Sequence, residues 1–405
     1  MIEDLFSFAR RNPKINDLVH FIGGFVGSLV FYLFRIFPIK KNKILFSHFN
    51  GKGYGDNPKY ICEEIHRRHP DFELVWIIFS HDIHLDYFPE YVRPVQKYSI
   101  RGIYDFVTAN VWINDSRMDD HIRKRKGQKY IQTWHGGFAM KKVEADNLDS
   151  PRWLVSCGKR DSKMADLFIS NSKIQSEVYH SSFWYDGPIL EIGYPRNDYL
   201  VSSEKLALLR KAISERFNNG MGVISGKKIL LYAPTFRKGL MYSDSKPDFK
   251  MWLEGIRNRF GDEWIIFLRL HPNIVTTGHF VSFSDNLNIF DVSLYPDMQE
   301  LLAVADVLVT DYSSSMFDFG LTKRPCFLYA PDVETYASDD RGFYIQLSEL
   351  PFPLYKSNEE LMSGIESFDS EEYQNNLSAF YEKYCSFEKG DASKKVVDWI
   401  LSQMS

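Results

Sequence analysis

Three consecutive serines, Ser313–Ser315, separate an apolar strand-like run from a helix-like run in "DVLVTDYSSSMFDFG" (306–320). A single serine often caps a helix by accepting a backbone N–H, but one cap requires only one hydroxyl. Several hydroxyls at the positive end of a helix suit a phosphate group. Asp318 comes one turn later, where a nucleotide's ribose hydroxyl would lie. The stretch favours nucleotide binding by Ser313, Ser314 and Asp318, and an ordinary helix cap is the alternative.

Two histidines also stand at strand-like ends: His135 in "TWHGG" and His271 in "RLHPN". Histidine exchanges a proton near neutral pH, so one of them can act as a base while the other stays cationic beside phosphate. Arg237 in "PTFR" and Arg269 in "LRLHP" add permanent cations whose planar forks fit phosphate oxygens. The alternatives are structural histidines and surface ion pairs.

The elements that carry these residues follow a regular alternation. From residue 44, β-rich runs such as "KILFSHF" and "ELVWIIFS" alternate with helix-like runs, and the pattern restarts at "KKILLYAPTFR" (227–237) after a linker over 201–226. This alternation predicts two consecutive α/β units with parallel sheets. Ligands bind beyond the carboxyl ends of such strands, where these histidines, arginines and serines occur, so we expect them to meet in a cleft between the units.

Composition narrows the functional class. The 405 residues suffice for two domains, and 44% hydrophobic with 25% charged residues is typical of globular proteins. The net charge of −4 argues against a nucleic-acid partner. The four cysteines lack CxxC spacing, which favours a reducing compartment and excludes a zinc knuckle. No histidine pair has a third ligand at a standard spacing, so we expect neither a metal nor a cofactor.

An apolar segment precedes the first unit. Residues 18–37, "LVHFIGGFVGSLVFYLFRIF", are long enough to span a bilayer, but His20 and Arg35 interrupt them and "KKNK" follows. The segment could span a membrane, lie in its interface or form a buried helix. The aromatic residues and the flanking lysines favour membrane association. No cleavage site of small residues follows, so we do not expect a secretory signal.

As a set, the motifs resemble the CDP-glycerol glycerophosphotransferase family, the bacterial enzymes that build teichoic acid and related poly(alditol phosphate) polymers. The resemblance rests on "ILFSHFNGKGYGDNPKYICEEI", "TWHGG", "EIGYPRNDYL", "LYAPTFRKG", "LRLHPN", "ADVLVTDYSSSMFDFGLTKRPCFLYAPDVETY" and "RGFY". It covers most of the chain after residue 43. The combination is far more specific than any one motif.

The resemblance implies a GT-B fold, in which two Rossmann-like domains face a central cleft. Residues 1–43 would be a membrane-associating helical segment, 44–205 the acceptor domain and 206–405 the CDP-alditol domain. The implied reaction transfers glycerol phosphate from CDP-glycerol to a hydroxyl of a lipid-linked or glycan acceptor and releases CMP. The implied location is peripheral, on the cytoplasmic face of the cell membrane.

The resemblance also implies roles for individual residues. His135 matches the proposed base, and His271 matches a histidine that assists at the pyrophosphate. Asp318 matches the acid expected at the ribose. Four residues of the "PTFR" and "TDYSS" motifs would contact the donor phosphates: Thr235, Arg237, Ser313 and Ser314.

The chain departs from the family pattern after His135. Many members read like "WHGTPLKK", whereas this chain has "WHGGFAMKK", with Gly137 at the hydroxyl-bearing position and no proline. The departure leaves CDP-ribitol and capsule-type acceptors open. Two other functions remain: a GT-B glycosyltransferase that uses a sugar nucleotide, and a non-catalytic membrane-bound scaffold that binds nucleotide or polyanion.

Overall fold

The chain divides into two α/β units. The computed structural model describes residues 13–79, 85–221, 226–235, 246–270, 288–334 and 342–404. The first unit comprises Met1–Arg196 together with Phe387–Ser405, and the second comprises Asn197–Ser386. The two α/β units predicted from the alternating pattern are therefore present.

The first sheet has the strand order β3-β2-β1-β4-β5-β6-β7, and every described pairing in it is parallel. Its strands are β1 (Lys40–Ser47), β2 (Glu73–Ile78), β3 (Val92–Gln96), β4 (Ala109–Asn114), β5 (Lys129–Gln132), β6 (Leu167–Ser170) and β7 (Ile189–Glu191). Because β4 returns to the side of β1 opposite β2, the strand order reverses between β1 and β4, as in Rossmann-type sheets.

The second sheet repeats this order as β10-β9-β8-β11-β12-β13, again with parallel pairings. Its strands are β8 (Lys228–Ala233), β9 (Trp264–Leu268), β10 (Ile289–Asp291), β11 (Val307–Thr310), β12 (Cys326–Tyr329) and β13 (Leu354–Tyr355). Here the order reverses between β8 and β11.

Helices connect the strands of both sheets, as parallel pairing requires. In chain order they are α1 (Pro13–Leu33), α2 (Asp56–Arg68), α3 (Ile100–Thr108), α4 (Arg152–Met164), α5 (Lys173–Ser182), α6 (Asp198–Val201), α7 (Ser203–Met221), α8 (Phe249–Phe260), α9 (Met298–Val304), α10 (Ser315–Gly320), α11 (Asn358–Glu366), α12 (Ser370–Lys383) and α13 (Ala392–Ser402).

The first sheet is buried on both faces. Successive side chains of β1 point to opposite sides: Ile44 and Phe46 belong to one apolar cluster and Leu45 to the other. The helices on each face cover these clusters, and this explains why the strands read as continuous apolar runs.

The last helix lies in a different unit from the rest of its predicted domain. Residues 206–405 were assigned to one domain, but Val396, Val397 and Ile400 of α13 are buried in the cluster that contains Ile61 of α2. The apolar face of α13 therefore covers the first sheet, and Phe387–Ser405 belong to the first unit. The units divide after Arg196, whereas the predicted domains divide after residue 205, and residues 13–43 of the predicted N-terminal segment also cluster with the first unit.

The predicted N-terminal helix is present as α1. It packs closely on the first unit at Gly27, where an added Cβ would lie 2.5 Å from the Cβ of His121. Its other side exposes a row of apolar residues: Leu18, Phe21, Ile22, Phe25, Val26, Leu29, Tyr32 and Leu33. The sequence left open whether this segment spans a bilayer. No helix within the described residues combines the length and the apolarity that crossing would require.

Candidate active site

The reversal of strand order in the first sheet places His48 and Asp115 side by side. Ser47, the last residue of β1, pairs with Asn114, the last residue of β4, so the next residue of each strand leaves the sheet at the same point. Nδ1 of His48 lies 2.5 Å from Oδ2 of Asp115, whose side chain is fully buried. The other carboxylate oxygen accepts the amide N–H of Phe49 at 2.7 Å.

The predicted base, His135, lies at the same edge because β5 pairs with β4 and ends three residues earlier. Nδ1 of His135 is 2.8 Å from the main-chain oxygen of Asp115. Its ring is half-buried beside the rings of Phe49, at 5.2 Å between centroids, and Trp134, at 4.5 Å.

Arg196 and Asp56 support the backbone of this histidine. Nη1 of Arg196 donates to the main-chain oxygen of His135 at 2.6 Å and to both carboxylate oxygens of Asp56 at 3.0 Å. Burial raises the pKa of Asp56, and the nearby Arg196 cation opposes that rise. Nδ2 of Asn57 donates to the main-chain oxygen of Trp134 at 3.0 Å. The "WHG" turn is thus held through its main chain on both sides of the ring.

Four residues of this site were not predicted individually from the sequence: His48, Asp56, Asp115 and Arg196. The first two and the last lie in stretches on which the family resemblance rests. The signal for His48 was available, because "KILFSH" ends a strand with a histidine in the same way as the other site loops. His48 and Asp115 are 67 residues apart in the sequence. They meet because of the strand order, which no local motif indicates.

His48, Asp56 and Asp115 also form the group that comes nearest to a metal centre within the described residues. Each offers a ligand atom, and these atoms lie within 4.8 Å of one another. The carboxylate of Asp56 binds Arg196, and that of Asp115 binds His48 and the amide of Phe49. A cation could bind here only in competition with these partners.

The second sheet places the predicted Thr235 and the serine row at its own point of reversal. Thr235 follows β8, and its amide N–H donates to both carboxylate oxygens of Asp311, at 2.9 and 3.0 Å, directly after β11. Ser313 and Ser314 are half-buried, whereas Ser315 is buried, and the hydroxyls of Ser313 and Ser315 lie 2.9 Å apart. Ser314 occupies the N-cap position of α10 without a side-chain capping bond. Ordinary capping therefore does not account for its hydroxyl.

Asp318 has a different setting from that expected of a ribose ligand. Its side chain is 3% exposed, and its two carboxylate oxygens accept hydrogen bonds from Asn197 at 2.9 Å and Gln299 at 2.8 Å. In this arrangement Asp318 joins α10 to α9 and to the residue before α6. Its predicted contact with ribose remains a prediction.

Arg269 follows β9, as predicted, and its guanidinium donates to the main-chain oxygen of Tyr295 at 2.5 Å. Burial lowers the pKa of Arg269 to about 10, although Asp297 acts in the opposite direction. A desolvated cation of this kind favours an anionic ligand. The other two predicted phosphate ligands, Arg237 and His271, lie outside the described residues.

Comparison with known proteins decides the family. The sequence profile of CDP-Glycerol:Poly(glycerophosphate) glycerophosphotransferase matches residues 29–402. The chain belongs to this family. The resemblance inferred from the motifs is confirmed, as is the expected class of enzyme, a glycerophosphotransferase of the teichoic acid type.

Relatives within the glycerophosphotransferase family include a teichoic acid poly(glycerol phosphate) polymerase of Bacillus spizizenii, 33% identical over 92% of this chain and 95% of the relative. A teichoic acid glycerol-phosphate transferase of Staphylococcus aureus is 33% identical over 89% of this chain and 93% of its own. A polymerase of Staphylococcus epidermidis is also 33% identical, but the chain spans only 51% of that protein's length. The solved structure of the wall teichoic acid polymerase TagF matches with a TM-score of 0.79 at 29% identity, over 96% of this chain and 98% of that one.

The loop that departs from the family pattern has an unusual backbone. Phe138, which stands at the proline of the "WHGTPLKK" pattern, has φ 54° and is 1% exposed. A proline ring holds φ near −65°, so it cannot adopt this conformation. The amide of Ala139, at φ 44°, donates to Gln175 of α5 at 2.9 Å. The left-handed backbone at Phe138 and the bond from Ala139 fold this loop inward, and a proline at position 138 could not adopt the first of these.

Proposed function

We propose that this chain transfers glycerol phosphate from CDP-glycerol to a hydroxyl of a lipid-linked or glycan acceptor in teichoic acid or capsule-type polymer synthesis, with release of CMP. The observation that carries the proposal is the placement of His135: its ring is bound to Asp115 and its main chain to Arg196, at the carboxyl edge of a Rossmann-type sheet. Membership of the family supplies the reaction class.

In the proposed reaction, His135 accepts the proton of the acceptor hydroxyl as its oxygen attacks the β-phosphorus of CDP-glycerol. A new phosphorus–oxygen bond forms to the acceptor. The bond between the β-phosphorus and the bridging pyrophosphate oxygen breaks, and its electron pair leaves with CMP. Fixed hydrogen-bond donors and cations that face the developing charge would lower the barrier.

The residues proposed for the donor phosphates come from the second unit. Ser313 and Ser314 offer half-buried hydroxyls, and Arg269 offers a desolvated guanidinium. Thr235, Arg237 and His271 complete the set through the family resemblance. The GT-B arrangement, in which the two units face a cleft and the donor lies between them, is part of this proposal and rests on the family.

We further propose that the protein lies peripherally on the cytoplasmic face of the cell membrane, with α1 in the interface. The exposed apolar row of α1 is followed by Arg35, which donates to the main chain of Lys124 at 3.2 Å, and Arg125 donates to the main chain of Phe37 at 2.7 Å. The basic stretch "KRKGQK" (124–129) thus adjoins the end of α1. Apolar area next to positive charge favours anionic lipid surfaces.

The function is tested by CMP release from CDP-glycerol, CDP-ribitol and a UDP-sugar in the presence of membrane acceptors. We expect CDP-glycerol to be preferred and His135→Asn to lower turnover by at least about 100-fold, because general base catalysis contributes roughly 10²- to 10⁴-fold. His180→Asn is the matched control, since Nδ1 of His180 also binds a main-chain oxygen, that of Tyr185 at 3.0 Å, away from the site. Preference for CDP-ribitol or the UDP-sugar would favour those alternative enzymes, and binding of nucleotide without turnover would favour the scaffold.

The membrane proposal is tested by sedimentation with lipid vesicles. We expect binding to vesicles that contain phosphatidylglycerol, weaker binding to phosphatidylcholine alone, and loss of binding in Phe21→Ser/Phe25→Ser. Leu208→Ser, at an exposed leucine of α7 in the second unit, is the control. Equal binding by all three proteins would contradict a role for α1.

A further inference from the structure

Asp115 contacts two histidines through different atoms. Its carboxylate binds Nδ1 of His48 at 2.5 Å and the amide of Phe49 at 2.7 Å, while its main-chain oxygen binds Nδ1 of His135 at 2.8 Å. The side chain of Asp115 is fully buried. One residue therefore joins the end of β1 to the loop after β5.

The bond between Asp115 and His135 determines which imidazole nitrogen carries the proton. A main-chain carbonyl oxygen can only accept a hydrogen bond, so Nδ1 of His135 must be the donor. Neutral imidazole carries one proton, so with Nδ1 protonated the lone pair that can accept a proton lies on Nε2. In a histidine without such a contact, either ring nitrogen can carry the proton.

The neighbouring peptide groups restrict the direction of the Asp115 carbonyl. The main-chain oxygen of Ser116 accepts hydrogen bonds from the side-chain amides of Asn114 and Gln132, the latter at 2.9 Å. The hydroxyl of Ser116 accepts the amide N–H of Asn50 at 3.1 Å. The turn after β4 is therefore held from three directions.

The loops that meet at Asp115 are also strained. Phe49, Asn50 and Trp134 have φ values of 42°, 61° and 56°, in the left-handed region that side chains other than glycine seldom adopt. Such conformations cost about 1–3 kcal/mol each and persist only where surrounding contacts enforce them, often at functional sites. Here the bonds of Asp115 and Ser116 to the loop after β1 are among those contacts.

We propose that Asp115, anchored by His48 and the amide of Phe49, is a positioning residue that holds His135 as the Nδ1–H tautomer, with Nε2 directed to the acceptor hydroxyl. The proposal deepens the proposed function, because it rests on His135 acting as the base. The carboxylate of Asp115 acts through its own carbonyl. The bonds of Ser116 hold the next residue, whereas the bonds to His48 and Phe49 hold Asp115 itself, so without them the Asp115 carbonyl could turn away from Nδ1.

Three variants distinguish a positioning role of Asp115 from a purely structural one. Asp115→Ala removes both anchors, so we expect kcat to fall at least about 100-fold, the lower range of general base catalysis, with little change in the Kd of CDP-glycerol. Asp115→Asn keeps an oxygen for the Phe49 amide and should recover most of that loss. His48→Gln should fall between the two, because the bond from Phe49 remains. Equal kcat in wild type and Asp115→Ala, or an equal loss in Asp115→Asn and Asp115→Ala, would overturn the proposal.

The tautomer can be read without any substrate. In the ¹⁵N-histidine-labelled full chain with EDTA present, two-bond ¹⁵N–¹H correlations distinguish Nδ1–H from Nε2–H, and His135→Asn identifies the signal. We expect Nδ1–H at His135 in the wild type, with His180 as an internal reference for the same kind of bond, and a mixture in Asp115→Ala. An Nε2–H tautomer in the wild type would overturn the proposal. Absence of turnover with an Nδ1–H spectrum would instead contradict the proposed function.

Discussion

The two sheets share a strand order and a backbone device but differ in the side chains that surround it. In each, an aspartate directly after the fourth strand accepts the amide two residues beyond the first: Asp115 accepts that of Phe49, and Asp311 accepts that of Thr235. In the first unit the aspartate also binds His48 and His135. In the second, Ser313 and Ser314 follow Asp311 in sequence, Arg269 follows β9, and the residue that corresponds to His48 is Pro234.

The comparison teaches that the two sheets share one backbone contact, while different side chains surround it. Under the proposed function, the histidines of the first unit serve proton transfer and the serines of the second serve anion binding.

The units differ in a second respect. The first buries ion pairs, such as Lys43 with Asp105 at 2.7 Å, where both side chains are fully buried. In the second unit, no ion pair between described residues has both side chains fully buried, and the pair of Lys383 with Glu349 at 2.5 Å has side chains that are 57% and 37% exposed.

The largest effect is expected from breaking the buried pair. Asp105→Ala leaves the ammonium of Lys43 buried with Thr108 at 3.0 Å and Glu73 at 3.5 Å as its partners. We expect the free energy of unfolding to fall by about 3 kcal/mol, near the low end for loss of one member of a buried pair. Unfolding in urea measures this free energy. Glu349→Ala is the control and should cause no measurable change, so equal losses would remove this contrast between the units.

A smaller effect should follow from replacing the desolvated arginine. Arg269→Met should raise the Kd of CDP-glycerol about 10- to 100-fold, because a hydrogen bond to a charged group contributes roughly 1.5–3 kcal/mol. Arg259→Met is the matched control, since exposed Arg259 also donates to a main-chain oxygen, that of Phe368 at 2.6 Å. Calorimetry would refute the assignment if both variants bound the donor like the wild type.

The serine row should contribute less. Ser313→Ala/Ser314→Ala should raise the KM for CDP-glycerol by about 10-fold with kcat nearly retained, as expected for loss of binding common to ground and transition states. Ser315→Ala removes a buried hydroxyl instead and should affect stability more than KM. A larger KM change in Ser315→Ala than in the double variant would show that the half-buried hydroxyls of Ser313 and Ser314 are not the ligands.

The smallest effect concerns pH. Burial acts to raise the pKa of Asp105, but hydrogen bonds from Arg93 and Lys43 outweigh it and lower the pKa below its ordinary value of 3.8. An acid with a lowered folded-state pKa stabilises the fold above its unfolded value, and the contribution is lost as the pH falls through the folded value. The difference in unfolding free energy between wild type and Asp105→Ala should be constant near neutral pH and narrow below about pH 4. A difference that widened in acid would contradict the assigned direction.

The sequence by itself determined the alternation of strands and helices, the two sheets and the placement of His135, Thr235, Arg269 and the serines after strands. These features are local, because they depend on runs of apolar residues and on the few polar residues directly after each run. The motifs sufficed for the family for the same reason.

The tertiary structure alone decided which of these residues meet. His48 reaches Asp115 because β1 and β4 are neighbours, and α13 joins the first unit because its apolar side covers that sheet. Asp318 shows a contact that its place in the sequence did not suggest: its carboxylate oxygens accept hydrogen bonds from Asn197 and Gln299, and its contact with ribose stays a prediction. Contacts between distant residues depend on strand order and packing, which no short stretch of sequence contains.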